Sequence, residues 1–126
     1  MKRDLALWRK ILLKVEELPP GRDLCSPLDI DGYDEQVIAE HVKLLAEACF
    51  IEAIFTHAFN SFGVKQVQEY VIIRLLNDGH DFVSNAKNPK IWQRTIDFIK
   101  ERGGDVSLAV TKAVMAKEAL QLFGLN

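Results

Sequence analysis

Residues 32–55, GYDEQVIAEHVKLLAEACFIEAIF, constrain this chain more than any other stretch. Val37, Ile38, His41, Val42, Leu44, Leu45 and Ala48 recur at three- and four-residue intervals, which places them on one side of a helix. Asp34 is suited to the N-cap, where its carboxylate accepts from an early backbone N–H. Tyr33 and Ile38 stand at the two positions of a hydrophobic staple. The opposite side, Glu35, Gln36, Ala39, Glu40, Lys43 and Glu47, is expected to be exposed. The pattern stops near Cys49, and Phe50–Thr56 then reads as a strand.

Around this centre the chain divides readily. Asp4–Leu18 predicts a first helix with Leu5, Trp8, Ile11, Leu12, Val15 and Leu18 inward, ended by Pro19-Pro20-Gly21. Leu28-Asp29-Ile30 predicts a short strand. Val67–Arg74, rich in β-formers, predicts the partner of Phe50–Thr56 across a loop, His57–Gln66, with Asn60, Ser61 and Gly63 as turn residues. Asn77–Ala86 predicts a short helix with Asn77 as its cap. Asn88-Pro89 opens the next, to Arg102, with Trp92, Ile96 and Ile99 inward and Gly103-Gly104 after it. Ser107 caps a last helix to about Phe123. Helix, tight stop, strand, loop and strand is the middle of a winged helix-turn-helix. The expected class is α+β, mostly α, with a small β-hairpin wing and extra C-terminal helices. Residues 1–86 form the winged-helix part, and residues 87–126 a helical extension packed on it within one structural domain.

The 126 residues suffice for one sizeable core. The net charge of −2 gives no global field toward nucleic acid or anionic membrane. No uncharged apolar run approaches the ~18 residues of a membrane span, and charges at Asp4, Arg9 and Lys10 interrupt the place of a signal-peptide core. Cys25 and Cys49 are isolated, which suggests neither a disulfide framework nor a thiolate metal site. A cytoplasmic protein is expected.

The segments MKRDLALWRKIL, GY…EHVKLLAEA…I, RLLNDGHDF and GGDVSL, in that order, resemble an uncharacterised family of bacterial and prophage-encoded proteins, a domain of unknown function with a winged-helix core. The resemblance implies a winged helix, a phage or mobile-element context and a DNA-linked role. It carries no catalytic residues to transfer. Two positions depart from the family pattern. Cys49 stands where glycine is favoured after the central helix, and Leu76 stands where a threonine cap is usual, leaving Asn77 to substitute.

Candidate chemistry is sparse. His80 between Asp78 and Asp81 offers ligand types, but acidic residues also suit a helix N-terminus. His41 sits on the inner side of its helix. No phosphate loop, HExxH or nucleophile elbow is present. The expectation is a protein without enzymatic activity, metal or cofactor.

Two functions remain in view. The first is DNA binding, as a transcriptional regulator. Its contacts would come from the central helix (Gln36, Ala39, Glu40, Lys43), the wing (Lys65) and the basic first helix (Arg3, Arg9, Lys10). Charge opposes it locally. Between Gly21 and Phe50 only Arg22 and Lys43 are basic, against seven acidic residues, so phosphate neutralisation is nearly missing there. The second is a protein-interaction module with an acidic helix face and wing aromatics Phe59 and Phe62. The last helix has two apolar stripes. Ala109, Ala113, Ala116, Leu120 and Phe123 are assigned to the domain's own core. Leu108, Met115, Ala119 and Leu122 face a second partner, either the preceding helix, Pro89–Arg102, or a second copy of the chain in a homodimer.

Overall fold

The computed structural model describes residues 1–125. Helix α1 spans Leu5–Glu16, with the Asp4 side chain capping the Leu7 N–H at 3.1 Å. It buries Leu7, Trp8, Ile11, Leu12 and Val15. Leu5 and Leu18, expected inward, are only half-buried, and Leu7 supplies the missing contact at 0% exposure. After the Pro19–Arg22 turn, β1 is Leu24–Cys25, not Leu28–Ile30. Pro27 has no N–H with which to extend a ladder. The pairing continues instead through Ser26, whose N–H donates to the Tyr70 carbonyl at 3.0 Å and whose Oγ accepts from the Tyr70 N–H at 3.1 Å. The Leu28 N–H then donates to the Tyr70 hydroxyl, and Leu28 and Ile30 are buried without strand pairing.

Helix α2 spans Glu35–Glu47, capped by Asp34 through the Gln36 N–H at 2.7 Å. It closes with Cys49 N–H on the Ala46 carbonyl and Phe50 N–H on the Leu45 carbonyl, both at 3.0 Å. That closure is the Schellman motif, and it holds Cys49 at φ 61°, the left-handed conformation glycine prefers. Val37, expected inside, is half-buried, and Ala39, expected outside, is buried. Strand β2 is Ile51–Phe59 and β3 is Lys65–Leu75, both longer than expected, because His57–Phe59 pair with Lys65–Val67. Only residues 60–64 turn. The sheet is antiparallel throughout, in the order β1-β3-β2.

The sheet's inner face carries Ile51, Val67, Tyr70, Ile72 and Leu75, all buried under α1 and α2. Trp8 meets Phe50 edge-on at 5.4 Å between ring centres. Each fully buried aliphatic chain contributes roughly 1.5–3 kcal/mol. Helix α3 is Asn77–Ala86. Asn77 is its first helical residue, not its cap. The Leu76 carbonyl accepts the first helical bond, from His80 N–H, while the Leu76 N–H donates to the Phe50 carbonyl, each at 2.9 Å. Gly79 lies so close that a Cβ there would collide with the Phe50 carbonyl oxygen.

The chain forms two compact units, Met1–His80 and the residues from Asp81 onward. In the second, α4 spans Pro89–Glu101 with Asn88 capping the Lys90 and Ile91 N–H groups. Its inward residues are Ile91, Thr95 and Ile99, whereas Trp92 and Ile96 are half-buried. Thr95 enters the core satisfied, its hydroxyl donating to the Ile91 carbonyl at 2.7 Å. Trp92 packs edge-on against Phe82 at 6.5 Å. Helix α5 is Leu108–Leu122, capped by Ser107 through Val110 N–H. Five helices and one small three-stranded sheet make the described residues α+β and mostly helical.

Candidate interaction surface

Strand β1 covers only Val71 and Ile72 of β3. Further along, the Val67 backbone groups turn away from β2 toward α2. Gln36 Nε2 donates to the Val67 carbonyl at 3.1 Å, and Glu40 Oε1 accepts from the Val67 N–H at 3.1 Å. Gln36 Nε2 also reaches Glu40 Oε1 at 3.2 Å. Two polar side chains thus finish an edge that would otherwise be a template for another strand. Ala39 between them is 8% exposed, and the Lys43 ammonium lies 4.6 Å from the centre of the Phe55 ring. Gln36, Ala39, Glu40 and Lys43 therefore lie together against the hairpin, Ala39 buried and the other three half-buried. Between Glu35 and Glu47 every residue of α2 is buried or half-buried.

The inner side of α2 holds His41 at 0% exposure. Its Nε2 accepts from the Asp4 N–H at 3.0 Å, and Nδ1 lies 2.8 Å from the Val37 carbonyl. Only a neutral ring with its proton on Nδ1 satisfies both contacts. Nearby, burial raises the Tyr33 phenol above its usual titration range, helped by the Asp4 charge and a hydrogen bond to the Asp4 side chain. Burial also raises the Tyr70 phenol, opposed by the Leu28 N–H that donates to it and assisted by the Glu35 charge.

Of the basic residues expected on a DNA face, Arg3 and Lys10 are exposed and Arg9 is half-buried. Arg3 stacks over Trp8 at 5.2 Å and Lys10 over Tyr33 at 5.4 Å. Lys65 is exposed at the first position of β3, beside the hairpin turn. The first unit carries nine Lys and Arg against thirteen Asp and Glu.

The hairpin tip is where apolar surface opens to solvent. Asn60 Oδ1 accepts from the N–H groups of Phe62 and Val64 at 2.9 and 3.0 Å, and the Asn60 N–H donates to the Val64 carbonyl at 2.9 Å. This Asx-type closure fixes the turn, and Gly63 takes its positive φ of 75°. Phe59 is 74% and Phe62 89% exposed. Sequence reasoning missed Val64 and Ile54, which add to the exposed apolar surface of the hairpin. For Ile54 the two-residue alternation running outward from buried Ile51 was the available signal, since the irregularity at Glu52/Ala53 adds its extra residue to β3 and leaves the phase of β2 intact.

On α5 the Leu108–Met115–Leu122 stripe packs within the second unit, where α4 is its neighbour, and the stripe assigned to the core is the exposed one. Met115 is 2% exposed and Leu108 and Leu122 are half-buried, so that stripe belongs to the core of the second unit with Thr111 and Val114. Ala109, Ala113, Ala116, Leu120 and Phe123 are exposed. The sequence periodicity defines both stripes but not which one faces α4. Thr111 lies on the inner side, where its hydroxyl is satisfied by the Ser107 carbonyl at 3.0 Å.

Among the described residues, no three His, Cys, Asp or Glu side chains converge as a metal site would, and both cysteines are exposed free thiols. No described helix is long and apolar enough to cross a membrane.

No solved structure matches the chain. It is 34% identical over 115 residues to an uncharacterized protein of Haemophilus influenzae (strain ATCC 51907 / DSM 11121 / KW20 / Rd), covering 90% of this chain and 92% of that protein. The model of the family described as Hypothetical protein (DUF2513) matches residues 2–105, which span β1, α2 and the hairpin and stop before α5. With most of its length matched, the chain belongs to the DUF2513 family.

Proposed function

We propose that the first unit is a winged-helix-type module that binds a protein partner through the tip of its β2–β3 hairpin. The observation that carries this reading is the fixed, exposed Phe59–Phe62–Val64 tip. Large aromatic side chains held out on an ordered turn present contact area at little cost in conformational freedom, and aromatics dominate interface cores. The engagement of Gln36, Glu40 and Lys43 with the hairpin points the same way, because it commits the groups with which the helix would read a base edge.

Duplex DNA is the second reading, as a transcriptional regulator of phage or prophage type. One observation favours it. A helix directly before a hairpin, in a sheet ordered β1-β3-β2, is compatible with a winged helix, although α2 alone lies between β1 and the hairpin among the described residues. Its phosphate contacts would fall to Arg3, Lys10 and Lys65, a small set against the acidic balance of the unit.

Two measurements separate the readings. Binding to generic duplex DNA is compared at about 50 and 200 mM salt, where phosphate-driven affinity falls steeply. In parallel, a photo-crosslinking residue at Ser61 is used in cells, with and without the changes Phe59→Ser and Phe62→Ser. The proposal expects no DNA complex at low salt and a discrete cross-linked protein that disappears in the double variant. Salt-sensitive DNA binding, or cross-linking indifferent to the two phenylalanines, overturns it.

A further inference from the structure

The outer stripe of α5 is apolar, regular and uneven in size. Ala109, Ala113, Ala116, Leu120 and Phe123 follow one another at four- and three-residue steps on the side opposite Thr111, Val114 and Met115. The small residues occupy its N-terminal part and the large ones its C-terminal part. Leu120 is 46% and Phe123 69% exposed. The helix ends in a Schellman closure, with Gly124 at φ 70° and the Leu125 N–H on the Leu120 carbonyl at 2.8 Å, so the large end is held in a fixed shape.

We propose that this face binds the same face of a second copy, as an antiparallel helix pair whose two-fold axis passes beside Ala116. The size pattern selects both occupant and direction. About that axis Phe123 lies opposite Ala109 of the second copy, and Leu120 lies opposite Ala113. Each large side chain enters a gap left by an alanine, and Ala116 meets Ala116 where the backbones come closest. A parallel pair would set Phe123 on Phe123 and leave the alanine half unfilled, which forfeits the packing that close contact supplies. Antiparallel pairing also sets the helix dipoles head to tail. A two-fold contact of this kind is self-complementary and closed.

Charge gives the pair a recognisable weakness. Lys117 is one residue from the axis, so the two copies bring their Lys117 ammonium groups near each other. Added salt screens that repulsion. A contact between two helices of this length falls near the ~1,000 Å2 lower limit of specific interfaces, so the dimer is reversible at micromolar concentration. An acidic helix from another protein would show the opposite salt dependence, since Lys112 and Lys117 flank the stripe on its two sides.

The test combines sedimentation velocity over micromolar to sub-millimolar concentration with disulfide trapping in a Cys25→Ser, Cys49→Ser background. The full chain is expected to dimerise reversibly, more tightly in higher salt and several-fold more tightly with Lys117→Gln. Leu120→Glu is expected to give monomer with an unchanged circular dichroism melt, because Leu120 is not part of the core. Ala116→Cys should cross-link to itself. Ala109→Cys and Phe123→Cys should cross-link when mixed and neither alone. A chain that remains monomeric throughout, self-cross-linking of Ala109→Cys, or a dimer indifferent to Leu120→Glu overturns the proposal. None of these outcomes bears on the hairpin tip, so the two readings fail separately.

Discussion

The backbone N–H of Asp4 donates to Nε2 of His41 at 3.0 Å, across 37 residues of sequence. One hydrogen bond thereby ties the start of α1 to the middle of α2. The same Asp4 caps α1 with its side chain and receives the Tyr33 hydroxyl, so three segments converge on it. His41→Leu keeps the apolar bulk but removes the acceptor for a part-buried N–H. It is expected to cost about 1–3 kcal/mol, read as a lower urea midpoint with an unchanged slope. A midpoint equal to wild type would mean that water replaces the ring nitrogen at no cost.

Glu40 is expected to act on stability rather than on nucleic acid. Its carboxylate holds the Val67 N–H, and its neighbour Gln36 holds the Val67 carbonyl. Glu40→Lys removes the acceptor and leaves the β3 edge open, at a cost of roughly 1–2 kcal/mol. On a DNA-facing helix the same change would tighten binding to duplex of any sequence, because phosphate contacts carry no sequence preference. Hydrogen exchange at Val67 together with a duplex titration reads both effects. Faster exchange without tighter DNA binding is the expected pair.

Much of this fold is legible in local sequence. Asp34, Asn88 and Ser107 each precede a helix and each caps it as expected, because a cap is decided within three residues of itself. What was not legible depends on distant partners. Glu40 looks solvent-facing until β3 offers an N–H that needs an acceptor. Leu28–Ile30 looks like a strand until the Tyr70 hydroxyl takes the Leu28 N–H. Ala39 looks exposed only while the hairpin is absent. Met115 and Leu120 are both apolar, and which of their stripes turns inward depends on packing against α4. For the candidate surface, Phe59 and Phe62 were singled out from sequence, but their exposure required the length of β2 and the Asn60 closure.

Alkaline pH should weaken the first unit through Tyr70. Its phenol titrates above the usual tyrosine range in the fold, chiefly because it is buried. A raised folded-state value means that the native state holds the proton more tightly than the unfolded chain. The stabilisation is therefore complete below pH ~10 and is lost as pH rises through the folded value. Tyr70→Phe keeps the ring, loses the bond to the Leu28 N–H and should flatten this loss. Urea midpoints for both proteins across alkaline pH test it. An identical decline in the two would assign the pH dependence to other groups, Tyr33 first among them.

Gly79 is the residue least able to change. It is the third residue of α3, where alanine would ordinarily favour a helix by up to about 1 kcal/mol. Here a Cβ would run into the Phe50 carbonyl oxygen, which is already committed to the Leu76 N–H. That oxygen belongs to backbone and cannot move aside as a flexible side chain would. Gly79→Ala should therefore destabilise by about 1–3 kcal/mol, the usual range for overpacking, with the sign opposite to helix propensity. A neutral or stabilising result by chemical denaturation would show that α3 starts elsewhere.

Cys49 offers the converse case. At φ 61° it pays for a left-handed conformation that the Schellman closure of α2 demands. For a residue with a Cβ that conformation costs roughly 1–2 kcal/mol. Glycine removes this strain but gives back part of the gain through its freer unfolded chain. Cys49→Gly is thus expected to stabilise by about 0.5–1 kcal/mol net. The control is Cys49→Ala, which removes the thiol but keeps the Cβ and the strain, and should leave stability within about 0.5 kcal/mol of wild type, as surface substitutions do. Since the side chain is exposed, no packing change confuses the comparison. If both variants shift the urea midpoint equally, the effect belongs to the thiol and not to the backbone.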